Sequence, residues 1–247
     1  MLLFSRNGVF NVKHTFSFRL TAEDFDVQGN LIPRQVLNIF QKAADSHAIL
    51  LGVDHDVVVT HHLLWVVTQT RYQVISLPKP DETLTITTWP TPPNRLGSKR
   101  EYLIQNENNE ILIKGSSNWV LMDMESRRLA SFADIFPENS FVDESVFSEK
   151  APRLRNFETD NQPYTLCPDE STIDVNGHVN NTFYADFALS ALGDFNGIIS
   201  TLQIDYLHEV LCHEPLTLYH KIEEKTAFIK GLSADNTLMF TCTVNVK

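Results

Sequence analysis

Three side chains suited to hydrolytic chemistry stand at alternate positions in one short segment. Asp174, Asn176 and His178 offer a carboxylate, an amide and an imidazole, which are groups that general acid–base chemistry uses. Apolar residues at helical spacing follow from about Asn180, so the segment stands directly before a helix start. Unpaired N–H groups and the positive end of the helix dipole at such a start could stabilise a carbonyl oxygen that turns negative during a reaction.

A purely structural interpretation of the same segment remains open at this point. Asp, Asn, Gly and His gather in tight turns for backbone reasons. Asn180 or Asn181 could likewise serve only to cap the helix. The residue types alone therefore do not decide between a turn and a catalytic site.

An earlier stretch of the chain repeats the segment without its imidazole. Residues 25–31 align with residues 173–179, and Gln28 and Asn30 stand where the later copy has its amide and its histidine. The match falls at the same place in two equivalent layouts of elements. This asymmetry indicates one working site and one structural copy.

The repeat extends to the order of the secondary-structure elements. Each half has the pattern of a short strand, a loop, a helix and four further strands, and the polar, acidic residues 138–152 are interpreted as a linker. The expected strands cover residues 12–20, 63–75, 83–89, 99–105, 111–122, 164–167, 201–208, 216–223, 227–232 and 238–244, and the expected helices cover 33–52 and about 180–192. This predicts an α+β tandem (double) hot-dog fold, with two antiparallel sheets that each wrap a long central helix. The predicted units are residues 1–137 and 153–247.

Composition narrows the class of protein. A chain of 247 residues with 43% hydrophobic content can bury a sizeable core, and no apolar run reaches the length of a membrane span. The first residues lack the apolar core of a signal peptide and the length of a transit peptide, so a cytoplasmic location is expected. The formal net charge of -11 argues against nucleic acid as a partner, because phosphate binding draws on a basic surface.

No cofactor or metal is expected. The cysteines are Cys167, Cys212 and Cys242. Their odd number and spacing suggest neither a disulfide framework nor a zinc knuckle. Candidate metal-binding groups are residues 54–56, residues 61–62, and His208 with His213. Since no matching partner set accompanies them, we interpret them as solvated or capping groups, and the sequence contains no Gly-rich phosphate loop.

The motifs give the chain a resemblance to a known family. Residues 174–181 and, downstream, residues 204–209 look like the active-site pattern of acyl-acyl carrier protein (acyl-ACP) thioesterases of the plant and bacterial type. The resemblance extends in order to residues 64–68, 117–122 and 127–129, and so covers nearly the whole chain. That family has a double hot-dog fold and releases fatty acids from acyl carrier protein (ACP) by hydrolysis. The resemblance therefore implies a thioester hydrolase of fatty acid biosynthesis.

The resemblance also implies roles for individual residues. The family's catalytic Asp, Asn and His fall on Asp174, Asn176 and His178, and its strand-borne glutamate falls on Glu209. Many members have a cysteine directly after that glutamate; here it is Val210, which removes a cysteine–histidine mechanism. The expected reaction is attack by a water held by Glu209 and aided by His178, with Asn176 and the helix-start amides holding the oxyanion. Asp174 would orient its neighbours or, alternatively, attack directly through an acyl anhydride.

The expected partner is ACP carrying a fatty acyl chain, with the chain held in the first half. The alternatives are a hydrolase acting on acyl-CoA, a hot-dog enoyl hydratase and a non-catalytic acyl-thioester sensor. Because ACP is acidic like this chain, docking would need a local basic patch. The candidates for this patch are Arg95, Lys99, Arg100, Arg127, Arg128, Lys150, Arg153 and Arg155. A monomer or a homodimer is expected, because the internal repeat already supplies the pairing of two hot-dog units.

Overall fold

The structure is a computed structural model that describes residues 12–27, 29–94, 97–132, 135–154, 156–193 and 197–247. The strands in these ranges are β1 (His14–Arg19), β2 (Leu63–Val74), β3 (Thr83–Pro90), β4 (Ser98–Gln105), β5 (Ile111–Asp123), β6 (Leu129–Ala130), β7 (Tyr164–Leu166), β8 (Ile199–Tyr206), β9 (Leu216–Glu223), β10 (Thr226–Leu232) and β11 (Leu238–Val246). The helices in the same ranges are α1 (Pro33–Leu51), α2 (His55–Thr60) and α3 (Phe183–Ser190). The predicted order of elements in the two halves is confirmed. The first residues, on which the expected location depends, lie outside the described residues.

The strands of both halves join into one antiparallel sheet. Among the described strands the order is β1-β3-β4-β5-β2-β8-β11-β10-β9-β7, and β6 pairs with β5. The halves meet where β2 pairs with β8 from Gln69, opposite Asp205, to Gln73, opposite Thr201. Pairing at this seam satisfies backbone groups that would otherwise form two open sheet edges. The tandem hot-dog fold is confirmed, and its two predicted sheets are continuous with each other.

Helix α1 packs across the sheet of the first half through one apolar face. Pro33 stands at its first position, where a missing N–H costs nothing, and Gly52 ends it with a φ of 68°. Its buried residues are Pro33, Val36, Leu37, Phe40, Ala43, Ala44, His47 and Leu51. The ring of Phe40 stacks on Tyr102 of β4, with ring centroids 4.2 Å apart. This packing sets the position of the helix relative to the sheet.

Helix α3 is shorter than the predicted span of about 180–192. Oδ1 of Asn180 accepts hydrogen bonds from both the N–H and the hydroxyl of Thr182, at 2.9 Å each. These bonds hold residues 180–182 in a turn, and the helix begins only at Phe183. Asn180 thus closes the turn before the helix, whereas the N-cap position itself is Thr182.

The loop before each helix has the same backbone geometry in both halves. The N–H of Asp26 bonds to the carbonyl of Asn30, and that of Asp174 bonds to the carbonyl of His178, each at 2.8 Å. Short antiparallel bridges close both loops, from residue 25 to 31 and from 173 to 179. The predicted structural repeat is confirmed for the described residues; Gln28, part of the sequence contrast, lies outside them.

Residues 138–152 follow the surface of the first half and form no helix or strand in their described conformation. Their anchors include Nε1 of Trp89, which donates to the carbonyl of Glu144 at 3.0 Å, and the hydroxyl of Ser145, which donates to Glu101 at 2.9 Å. The segment is therefore tied to the sheet by specific bonds. The predicted unit boundaries on either side of it stay predictions. No helix in the described part of the chain is long and apolar enough to cross a membrane.

Candidate active site

The carboxylate of Asp174 organises the turn that carries the candidate site. Its Oδ1 accepts the backbone N–H of Asn176 at 2.8 Å and that of His178 at 3.4 Å, while its Oδ2 accepts the side-chain NH2 of Asn176 at 3.4 Å. Gly177 completes the turn with a φ of 80°, a left-handed conformation that glycine adopts without strain. The turn interpretation thus holds for Asp174. A carboxylate engaged in this way is better placed to orient Asn176 than to attack a substrate.

The side chain of Asn176 is held by a residue from the other half of the molecule. Its Oδ1 lies 3.1 Å from Nε2 of His55, and Nδ1 of His55 lies 3.2 Å from a carboxylate oxygen of Asp56. The preceding Asp54 caps α2, since its side chain accepts N–H groups at the start of that helix. The contact made by His55 was not predicted from the sequence. No spacing could reveal it, because 121 positions separate the two partners.

His178 and Glu209 meet beside this turn. Nε2 of His178 lies 3.5 Å from Oε2 of Glu209, and Nη2 of Arg127 lies 3.0 Å from the same oxygen. Glu209 stands beyond the end of β8, so its predicted place on a strand is wrong. Its segment is instead held against the candidate loop, where the N–H of Val179 bonds to the carbonyl of Val210 at 2.9 Å. The structure thereby brings together all four residues that the sequence had singled out.

The backbone amides at the start of α3 are already engaged. The donors and acceptors are Val179 N to Val210 O, Asn180 N to Thr172 O, Thr182 N to Asn180 Oδ1, and Phe183 N to Asn180 O, at 2.9 to 3.0 Å. An N–H that already donates to another acceptor is not available to donate to a developing oxyanion. The prediction that these helix-start amides hold the oxyanion is therefore wrong for these four groups. The role of the NH2 group of Asn176 as an oxyanion donor stays a prediction.

A cleft of about 1340 Å³ connects the candidate residues with the first half. All four line it, together with His55 and Arg127. Further walls come from α1 and from an aromatic cluster, defined here as Trp65, Trp119, Phe132 and Phe136. The volume exceeds the range of about 300–1,000 Å³ that is typical of small-molecule sites. One end of the cleft is thus polar, and its wall in the first half combines apolar residues of α1 and the aromatic cluster with polar residues such as Asp45 and Lys99.

The cysteines lie away from this chemistry. Cys242 is buried, and Cys167 and Cys212 are not among the described residues that line the cleft. Loss of hydration and the carboxylates of Glu170 and Asp169 raise the pKa of the Cys212 thiol, which disfavours the nucleophilic thiolate. Cys212 is therefore poorly suited to act as a nucleophile.

Among the described residues, one group of side chains could hold a metal ion. Ligand atoms of Glu170, Cys212 and His213 lie within 4.8 Å of one another at the surface. Nε2 of His213 lies 3.0 Å from Oε1 of Glu170. The expectation that the protein needs no metal stays a prediction.

The basic residues proposed for docking differ in their availability. Arg100 is only 7% exposed, and its Nη1 lies 3.0 Å from Nδ1 of His47, so its assignment to a surface patch is wrong. Arg127 is engaged with the carboxylate of Glu209 at the cleft. The exposed candidates are Arg128, Lys150 and Arg153, and Lys99 is partly exposed on the cleft wall. Arg95 and Arg155 lie outside the described residues.

Comparison with known proteins adds relatives to this geometry. The chain is 29% identical over 189 residues to a chloroplastic acyl-acyl carrier protein hydrolase from Cuphea viscosissima, covering 71% of this chain and 46% of that protein. It is 25% identical over 199 residues to a chloroplastic oleoyl-acyl carrier protein thioesterase from Coriandrum sativum, covering 70% of this chain and 53% of that protein. The chain thus spans about half the length of these curated relatives.

The same fold occurs in solved structures. The 12:0-ACP thioesterase from Umbellularia californica superposes with a TM-score of 0.87 at 21% identity, covering 97% of this chain and 98% of that one. Its sequence similarity is too low to show more than the fold. A family model described as the acyl-ACP thioesterase N-terminal domain matches residues 11–138, just over half of the chain, and the chain therefore belongs to the acyl-ACP thioesterase family.

Proposed function

We propose that this protein hydrolyses the thioester of acyl-ACP and releases a free fatty acid and holo-ACP in fatty acid biosynthesis. The observation that carries the proposal is the meeting of Asn176, His178 and Glu209 at the polar end of a cleft with an aromatic wall. The polar end supplies the groups that hydrolysis needs, and the aromatic cluster suits an alkyl chain. Membership of the family and the names of the curated relatives favour ACP as the carrier.

The reaction starts with a water molecule next to Glu209. The carboxylate of Glu209 accepts a proton from the water, and at the same time the water oxygen attacks the thioester carbonyl carbon. His178, 3.5 Å from Glu209, orients the water or relays the proton. The NH2 group of Asn176 donates to the carbonyl oxygen as negative charge develops on it.

Collapse of the tetrahedral intermediate breaks the carbon–sulfur bond. The thiolate then takes up the proton, so water has added across the thioester and the products are a fatty acid and a thiol. A thiol with a pKa of roughly 8.5 leaves easily, so no strong general acid is required. Asp174 acts by orienting Asn176, because both of its oxygens are engaged within the turn.

The acyl chain lies along the first half in this proposal. The cleft wall there includes Ala44, Ala48 and Ile49 of α1 and the aromatic cluster. Alkyl carbons gain about 0.8 kcal/mol for each buried CH2 group, so this wall can contribute much of the binding energy of a long chain. Residues 1–137 would then select the chain and residues 153–247 would supply the chemistry.

A panel of acyl-ACP substrates of different chain lengths, with free thiol as the readout, tests the function. The wild-type protein should release thiol, and Glu209→Gln and His178→Ala should each lower kcat at least about 100-fold. His61→Ala and Glu214→Gln are matched controls, since both residues lie outside the cleft lining. Near-normal turnover of the Glu209 or His178 variant would refute the assigned role.

The same assay separates the competing functions. Comparing kcat/KM for one acyl chain on ACP and on coenzyme A distinguishes the two carriers, and the proposal requires a higher value on ACP. A hydratase or a sensor would leave the thioester intact, so thiol release excludes both.

Several broader features belong to the proposal as well. Of the candidate docking residues, Lys99, Arg128, Lys150 and Arg153 remain available for contact with acidic ACP. A cytoplasmic location and a monomer or homodimer stay predictions. The curated plant relatives are named as chloroplastic proteins.

A further inference from the structure

Both ring nitrogens of His55 face oxygen atoms. Nε2 lies 3.1 Å from Oδ1 of Asn176, and Nδ1 lies 3.2 Å from Oδ1 of Asp56. A carbonyl oxygen and a carboxylate can only accept hydrogen bonds, so each ring nitrogen must carry a hydrogen to form its bond. The doubly protonated imidazolium satisfies both contacts, whereas a neutral ring can satisfy only one.

The orientation of the Asn176 amide is fixed from its other end. Its Nδ2 donates to Oδ2 of Asp174 at 3.4 Å. If the amide were rotated by 180°, its oxygen would face the carboxylate oxygen of Asp174, which places two acceptors together. The carbonyl end of Asn176 must therefore point to His55. One hydrogen of the NH2 group goes to Asp174, and the second is left for the cleft.

Three carboxylates surround His55. Asp56 is on the same helix, Asp174 is on the candidate loop, and Asp45 reaches the same region from α1. The hydrogen bond that His55 donates to Asp56 is the largest influence that raises the pKa of His55. The bond to Asn176 and the charges of Asp56 and Asp174 also raise this pKa, and partial burial lowers it. The charged form of the ring is thus favoured at neutral pH more than in an ordinary histidine.

We propose that His55 is a positioning residue that completes the oxyanion site from the first half of the chain, by donating a hydrogen bond to Oδ1 of Asn176. The bond holds the amide plane so that the free N–H of Asn176 points at the carbonyl oxygen of a bound thioester. It also draws electron density toward Oδ1, which makes that N–H a stronger donor. The inference rests on the proposed function, because Asn176 is its oxyanion donor.

A dependence on pH follows from this arrangement. Below the pKa of His55 both bonds are made and Asn176 is held. As the pH rises through that pKa the ring loses one hydrogen and can keep only one of the two bonds. The ring then spends part of the time bonded to Asp56 alone, and kcat should fall on the alkaline side.

Kinetics of His55→Ala, Asn176→Ala and the double variant test the positioning role. His55→Ala should lower kcat about tenfold with little change in KM. This loss is smaller than the 100-fold or more that removal of a direct oxyanion donor typically costs, because the donor Asn176 itself remains. In the Asn176→Ala background the His55 substitution should cost nothing further, because His55 acts through Asn176. Additive losses in the double variant would overturn the inference.

A conservative variant and a matched control complete the kinetic test. His55→Gln keeps an N–H that can donate to Asn176 but does not titrate, so it should recover most of the kcat and lose the alkaline decline. Failure of this variant to recover kcat, with unchanged thermal stability, would also overturn the inference. His61→Ala is the control, an exposed histidine at the other end of α2.

Direct titration of His55 by NMR separates this inference from the proposed function. The pKa of His55 should lie above 6.5 in the wild-type protein and should fall in Asn176→Ala, whether or not any thioester is cleaved. An unchanged pKa in that variant would show that the bond is absent. A protein with the expected titration but no thiol release would refute the hydrolase function alone.

Discussion

Replacing Gly115 with alanine should destabilise the first half, because Gly115 lies beneath the ring of Phe40. A Cβ atom built at this position would lie 2.2 Å from Cε2 and 2.3 Å from Cζ of Phe40, and 3.1 Å from the carbonyl oxygen of Arg71. Carbon atoms pack best at about 3.5–4.0 Å, so the ring would have to retreat by roughly 1.3 Å. It cannot do so freely, because it is 3% exposed and stacks on Tyr102.

The expected cost of the Gly115 substitution is that of an overpacked core. Such changes typically cost about 1–3 kcal/mol, and for a chain of this size each kcal/mol lowers Tm by roughly 2–4 °C. Thermal unfolding should thus show a loss of roughly 2–12 °C. Because the clash is with the Phe40 ring, the substitution should cost much less in a Phe40→Leu background. A Tm within about 1 °C of the wild type for Gly115→Ala would refute this account of the packing.

Three further predictions concern the cleft and its surroundings. Arg127→Met should lower kcat about tenfold, because Nη2 of Arg127 lies 3.0 Å from Oε2 of Glu209 and holds that carboxylate. Arg127→Lys should keep most of the rate. Equal rates of thiol release for the wild type and both variants would contradict this prediction. Burial and the Arg100 charge lower the pKa of His47 to about 3. Below about pH 6.5 the unfolded chain therefore binds a proton at this residue that the folded chain does not. As the pH falls from about 6.5 to 3, the free energy of unfolding should fall by up to about 1.4 kcal/mol per pH unit. His47→Gln should remove this part of the acid sensitivity in urea unfolding at pH 5 and pH 7, and an unchanged difference between the two would count against it. Cys212→Ser should turn over like the wild type, and lost activity with intact stability would restore a cysteine mechanism.

The secondary structure was largely predictable because its signals are local. The strand predicted at residues 216–223 has these bounds in the structure, as β9. The helix end at Gly52 follows from a left-handed glycine. The start of α3 was predicted about three residues early, since Asn180 could equally be the first helical residue or a cap. Apolar spacing records which residues face a core, but it does not record which hydrogen bond closes a turn.

The joining of the sheets was not predictable in the same way. Pairing of β2 with β8 joins residues at least 128 positions apart in sequence. One of them is Gln69, whose Nε2 donates to Oδ1 of Asp205 at 2.6 Å. Neither strand carries a pattern that distinguishes an edge from an interior position. The sheet continuity is therefore a property of the assembled halves.

The candidate site shows the same division between local and tertiary information. Asp174, Asn176 and His178 were found because they share one turn, and Glu209 was found by resemblance. The role of His55 was not predicted because its partner, Asn176, is in the other half of the chain. Its sequence neighbours indicated only a helix cap. Arg127 was noticed for its charge but assigned to docking, since only the fold brings it to Glu209.

The asymmetry between the two halves now has a structural explanation. In the first copy, Asn30 stands where His178 stands in the second, and its side chain donates to Oδ2 of Asp26 at 3.1 Å. Asn30 has no imidazole to contribute, and it is not among the residues that line the cleft. The first half instead contributes His55 and Arg127, which hold Asn176 and Glu209 from across the molecule. If the proposed site is the working one, a single half would lack either the reacting groups or the side chains that position them, so the proposal requires both copies.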